Sequence, residues 1–78
     1  MPSVDKIIKK AKQGGTNISY KEIIKVLEYM GYKHSRTKGD HFQYTKKYRD
    51  VFTVVGDNPA KKYQIDELLV RLKEEGIV

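Results

Sequence analysis

Cysteine is absent from the chain, which excludes disulfides and thiolate sites and fits a reducing compartment. Long apolar runs are absent as well. The amino-terminal stretch MPSVDKIIKKAKQGG alternates charge with apolar residues, so neither a signal peptide nor a membrane-spanning helix is expected, and a cytoplasmic address follows. There is no glycine-rich phosphate loop, since Gly39 and Gly56 stand alone and each marks a turn. No serine lies in a nucleophile context. Potential metal ligands are sparse, the central region offering only His34, Asp40 and His41, so neither a metal site nor a small-molecule cofactor is expected. With 78 residues the chain reads as one domain. A domain this small buries only about 60% of the surface its unfolded chain exposes. It has room for one thin core and not for a deep enclosed pocket, so a substrate is expected to lie across the surface.

What the chain does have is positive charge, unevenly spread. Residues 1–32 hold six Lys against three acids (+3), residues 33–49 six Lys or Arg against Asp40 (+5), and residues 50–78 four against six (−2). The excess in the middle third attracts polyanions, of which phosphate backbones are the commonest in a cytoplasm. Residues 33–49, with Arg36, Lys38, Lys46 and Lys47, are therefore the expected surface for a phosphate backbone. The run Lys9-Lys10-Ala11-Lys12 reads as a solvated helix face with an accessory electrostatic role at most.

Val4, Ile7, Ile8 and Ala11 recur at the spacing of one helix face, and Gly14-Gly15 stops that helix. Ser19 followed by Glu22 forms a capping box for a second helix, with Ile18 placed to staple onto Ile23. Its predicted apolar face is Tyr20, Ile23, Ile24, Leu27 and Met30, and Gly31 falls where a helix end tolerates positive φ. The period then changes. Residues 32–37, 41–45 and 51–55 read as three strands of a meander, separated by Lys38-Gly39-Asp40 and by the polar stretch 46–50. Helical spacing returns in Ile65, Leu68, Leu69 and Leu72, predicting a last helix over 63–75 capped by Gly76. Phe42 and Tyr44 are expected in the core.

The order α, α, β, β, β, α predicts an α+β fold, a three-stranded antiparallel sheet with two helices packed on one face (α-β-β-β-α) plus an extra amino-terminal helix. Residues 1–15 form the extension and 18–78 the core. The opposite face of the sheet is left to solvent or to a partner.

From Tyr20 onward the chain resembles the HicA-type mRNA interferases, the toxin half of a bacterial and archaeal toxin–antitoxin pair with a fold like a double-stranded RNA-binding domain. The resemblance rests on an apolar helix ending in Gly31-Tyr32, on Arg36, on a Gly39-x-His41 turn with Tyr44 shortly after, on a valine-rich third strand, and on a closing helix ending in Gly76-Ile77. It implies catalysis by His41, the histidine after the turn, with mRNA as substrate and a HicB-like antitoxin protein as partner. Three features depart from the family pattern: Asp40 stands where a serine is most frequent, residues 56–62 replace the usual loop, and the amino-terminal helix is added.

Chemistry gives a second route to the same residues. Metal-independent RNA cleavage needs a base for the 2′-hydroxyl proton, cationic donors for the phosphorus oxygens, and an acid for the leaving 5′-oxygen. Histidine, with a reference pKa of about 6.5, suits the first role. Lys38 and Arg36 suit the second, while His34, a lysine or water remain open for the third. A two-residue turn would put Arg36 or Lys38 on the face of His41 and His34 opposite Gln43 or Thr45; a three-residue turn would put His34 and Arg36 beside Phe42 and Tyr44. Two functions are thus expected to compete, a small endoribonuclease and a non-catalytic RNA- or protein-binding domain on the same fold.

Overall fold

The spacing of Val4, Ile7, Ile8 and Ala11 produces α1 (Pro2–Lys12) in the computed structural model, which describes residues 2–14 and 17–78. All four side chains are buried. Asp5 in the first turn and Lys9, Lys10 and Lys12 in the last complement the helix dipole. Gly14 takes a φ of 74° just beyond the helix, and Gly15, the second half of the predicted stop signal, lies outside the described residues.

Ser19 begins α2 (Tyr20–Tyr29) with the capping box its sequence predicts. Its hydroxyl accepts from the Glu22 N–H at 3.3 Å, and the Glu22 carboxylate accepts from the Ser19 N–H at 3.0 Å. Such a cap is worth about 1 kcal/mol. At the other end Gly31 adopts a φ of 97°. Its N–H donates to the Glu28 carbonyl and the Tyr32 N–H to the Leu27 carbonyl, each at 3.0 Å, a paired closure that turns the chain sharply into the sheet.

Three strands follow, β1 (Lys33–Lys38), β2 (His41–Thr45) and β3 (Phe52–Val55), antiparallel in the order β1-β2-β3. Lys38 pairs with His41, so the connecting turn is the two-residue Gly39-Asp40, and Gly39 supplies the positive φ, 59°, that the first central position of such a turn favours. Arg36 accordingly pairs with Gln43. The register then slips, because Ser35 is an extra residue, and His34 pairs with Tyr44. This bulge corrects the expectation that His34 lies opposite Gln43 or Thr45: one inserted residue turns every earlier side chain of the strand to the other face.

The last helix, α3 (Lys62–Glu74), brings Ile65, Leu68 and Leu72 into a core shared with Ile23, Val26 and Leu27 of α2 and with Tyr44, Phe52 and Val54 of the sheet. Phe42 and Leu69 are half-buried against it. The helix α1 packs against α2 and α3. Because α2 meets α1, α3 and β3 together, its buried stripe takes in Val26, which is fully buried, while Tyr20 and Ile24 of the predicted face are half-buried. Two polar side chains of α3 tie the sheet down. The Gln64 amide, itself buried, accepts from the Val55 N–H at 2.8 Å and donates to the Thr53 carbonyl at 3.0 Å, occupying the free edge of β3. Arg71, also buried, reaches the Tyr32 hydroxyl at 3.1 Å and the Asp50 carbonyl at 2.8 Å and lies over the Phe52 ring.

Candidate functional site

Alternation along paired strands sorts the sheet residues by face. Phe42, Tyr44, Phe52 and Val54 point toward the helices, which leaves two rows across the other face: Lys38, His41 and Val55, then Arg36, Gln43 and Thr53. Partners within a row have Cβ atoms about 5 Å apart, and the rows lie about 7 Å apart. Lys38, Gly39, Asp40, His41, Gln43 and Thr53 line an open, shallow concavity of about 500 Å³. Lys38, Arg36 and His41 are exposed, while Gln43, Thr53 and Val55 are half-buried.

The imidazole stands on a braced support. Phe42, its neighbour on β2, stacks on Tyr20 of α2 with ring centroids 5.6 Å apart and planes 2° from parallel. The Gly56 N–H, just past β3, donates to the Asp40 carbonyl at 2.8 Å and so clamps the hairpin turn. A Cβ at Gly56 would come within 3.3 Å of the Phe42 ring, tighter than ordinary contact, and would touch the Asp40 carbonyl at 3.4 Å. Gly56 is therefore more than a turn residue; it lets the end of β3 close against the turn that carries His41.

Of the four basic residues expected to bind RNA, the fold places Arg36 and Lys38 on one face with His41, the expected catalytic residue, and sets Lys46 and Lys47 apart. Lys46 and Lys47 follow the far end of β2, a strand about 16 Å long. The Lys46 ammonium is bonded to the Glu75 carboxylate at 2.7 Å and lies 6.0 Å from the centre of the Tyr32 ring. Arg49 joins the same carboxylate at 3.0 Å. Hydrogen bonds from Lys46 and Arg49 hold the Glu75 carboxyl below the usual carboxylate range. Lys47 is exposed and its ammonium sits 5.2 Å from the ring centre of Tyr48. His34, turned by the bulge, contacts the Thr37 hydroxyl and the edge of Tyr44 instead of the concavity.

The basic residues of α1 form a separate hollow of about 390 Å³ with α2, lined by Lys6, Lys9, Lys10 and Lys25 among others. Lys10 is paired there with Glu22 at 3.3 Å. Burial raises the Glu22 carboxyl, but the Ser19 amide and Lys10 outweigh it and leave the group below its ordinary value. Among the described residues no three His, Cys, Asp or Glu side chains come together as a metal site would need, and no helix is long and apolar enough to cross a membrane.

Gln43 and Thr53 are the two lining residues that the sequence reading did not single out. A signal for Gln43 was present: it stands two residues after His41 and so shares its face in any strand. Thr53 needed the β2–β3 register, which no turn motif in the stretch 46–51 specifies.

A family model described as HicA toxin of bacterial toxin–antitoxin matches residues 20–76 of the chain. No curated protein and no solved structure matches it.

Proposed function

Because this chain belongs to the HicA toxin family of bacterial toxin–antitoxin systems, we propose that it acts as the toxin by cutting mRNA, as a metal-independent endoribonuclease with His41 as its base. The observation that carries this reading is the row in which exposed His41 is directly opposite Lys38, with Arg36 on the same face one row away. His41 takes the proton of a 2′-hydroxyl. The freed oxygen attacks the adjacent phosphorus and the 5′-oxygen leaves, so the products carry a 2′,3′-cyclic phosphate and a 5′-hydroxyl. Lys38 and Arg36 hold the phosphorus oxygens as charge builds on them, which is where fixed cations contribute most. His34 lies on the other face, which leaves Lys38 or a water to protonate the leaving oxygen.

Membership of the family brings a cognate antitoxin. A HicB-like protein that silences this site would present an acidic surface to the basic face and cover His41. In the complex, His41 should then resist modification by diethyl pyrocarbonate; full reactivity would exclude direct occlusion. The activity itself is tested by incubating the purified chain with single-stranded RNA in EDTA. Cleavage is expected to persist in EDTA, to leave cyclic phosphate ends and to stop at any linkage whose 2′-hydroxyl is replaced by hydrogen. RNA that is bound but never cut would instead favour a non-catalytic binding domain on this fold.

A further inference from the structure

We infer that Gln43, with Thr53 beside it, reads the base of a nucleotide next to the cleaved phosphate, and that this base is adenine. The inference rests on the ribonuclease reading and adds a specificity residue to it. Gln43 lies on the middle strand of the open face, between Arg36 on β1 and Thr53 on β3, and lines the same concavity as His41. Both residues are half-buried, and because no buried polar side-chain atom lacks a partner among the described residues, any atom of the carboxamide or of the Thr53 hydroxyl that is unpaired is open to the solvent side of the sheet. The contrast is Gln64, whose amide oxygen and amide nitrogen are each engaged at the sheet edge. Gln43 thus offers a donor and an acceptor, side by side, to the open concavity that it shares with His41.

Spacing directs which part of an RNA meets them. Lys38 and Arg36 share a face two residues apart, about 7 Å along the strand. That separation matches successive phosphates of an extended single strand. A strand laid along β1, with one phosphate at Lys38 beside His41 and the next at Arg36, projects the intervening base across the sheet toward Gln43 and Thr53. Val55, half-buried in the row of His41, gives the base an apolar surface to rest on. A carboxamide pairs with an edge that presents a donor next to an acceptor, and single-stranded RNA is read on such unstacked edges. Every base has such a pair on its Watson–Crick edge, but only adenine has one on its Hoogsteen edge as well, so a carboxamide can meet adenine on either edge and each other base on one alone.

The test uses short RNA oligomers made uncleavable by 2′-O-methyl groups, identical except for one position carrying each of the four bases in turn. Their affinities are measured for the wild-type chain and for Gln43→Ala and Gln43→Glu. The adenine oligomer should bind about five- to a hundredfold more tightly than the others, the range of one bidentate base contact. Both variants should level that preference, keep the cationic contribution to binding, and unfold at the wild-type midpoint. Absence of a base preference, preference for another base, or an adenine preference that survives both substitutions would overturn the assignment. Cleavage of the matching unmodified oligomers is scored separately, so loss of the ribonuclease reading is seen independently of the base contact.

Discussion

Gln64→Ala probes the pin between α3 and the open edge of β3. The substitution removes an acceptor 2.8 Å from the Val55 N–H and a donor 3.0 Å from the Thr53 carbonyl. Each buried backbone group left without a partner costs about 1–3 kcal/mol. Both bonds are only partly buried, so water will recover some of that loss, and the expected cost is about 2–4 kcal/mol for the pair. At about 0.05–0.15 kcal/mol per residue, a chain of this length has roughly 4–12 kcal/mol in total. The loss is therefore a large fraction of it. Urea unfolding followed by circular dichroism should show the midpoint falling by about 1–3 M with an unchanged slope. Thr53 and Val55 also form one side of the open face, so RNA binding should weaken as β3 loosens. An unmoved midpoint would show that the amide satisfies groups that water serves equally well, and the edge-pin argument would fail.

Three further outcomes follow from the same contacts. Leu27→Ala, at a fully buried position, should cost about 2–5 kcal/mol, whereas half-buried Leu69→Ala should cost clearly less; equal losses in thermal unfolding would contradict the core described here. Glu75 has its carboxyl pKa depressed in the fold, so its stabilising effect is present above the ordinary carboxylate value near 4.3 and is lost as pH falls through the lower folded value. Glu75→Gln should accordingly make the acid limb of a stability–pH profile shallower below about pH 5, and an identical limb would refute the linkage. Reversing Arg36 and Lys38 to Glu should abolish RNA binding and flatten its salt dependence, while reversing Lys47 should do much less and reversing Lys46, beside Glu75, should act mainly on stability. Equal binding losses at every position would mean that net charge alone drives the interaction.

Local signals made most of the fold legible. Ser19 with Glu22, the glycines at 31, 39 and 76, and the switch from helical to alternating spacing after Gly31 each act within a few residues, and each has the predicted conformation. What was not legible depends on partners far along the chain. Val26 is buried because α2 meets three elements at once. The bulge at Ser35 carries no turn residue to announce it, yet it decides that His34 leaves the site. Lys46 looked like part of a basic surface because its partner, Glu75, is 29 residues away. In the site itself, the sequence left a two-residue and a three-residue turn open, and only the folded pairing of Lys38 with His41 chooses the first. Gln43 followed from alternation but has no charge to draw notice, and Thr53 required the register of a pairing that only the folded sheet supplies.

The central claim is that His41 acts as a base on RNA held by its neighbours, and the most direct test compares cleavage by the wild-type chain and by His41→Ala. Loss of the base should lower the rate by about 10²–10⁴-fold. RNA affinity and the unfolding midpoint should stay near wild type, because Lys38 and Arg36 remain and His41 is exposed. A His41→Ala chain that cuts RNA as fast as wild type would contradict the account.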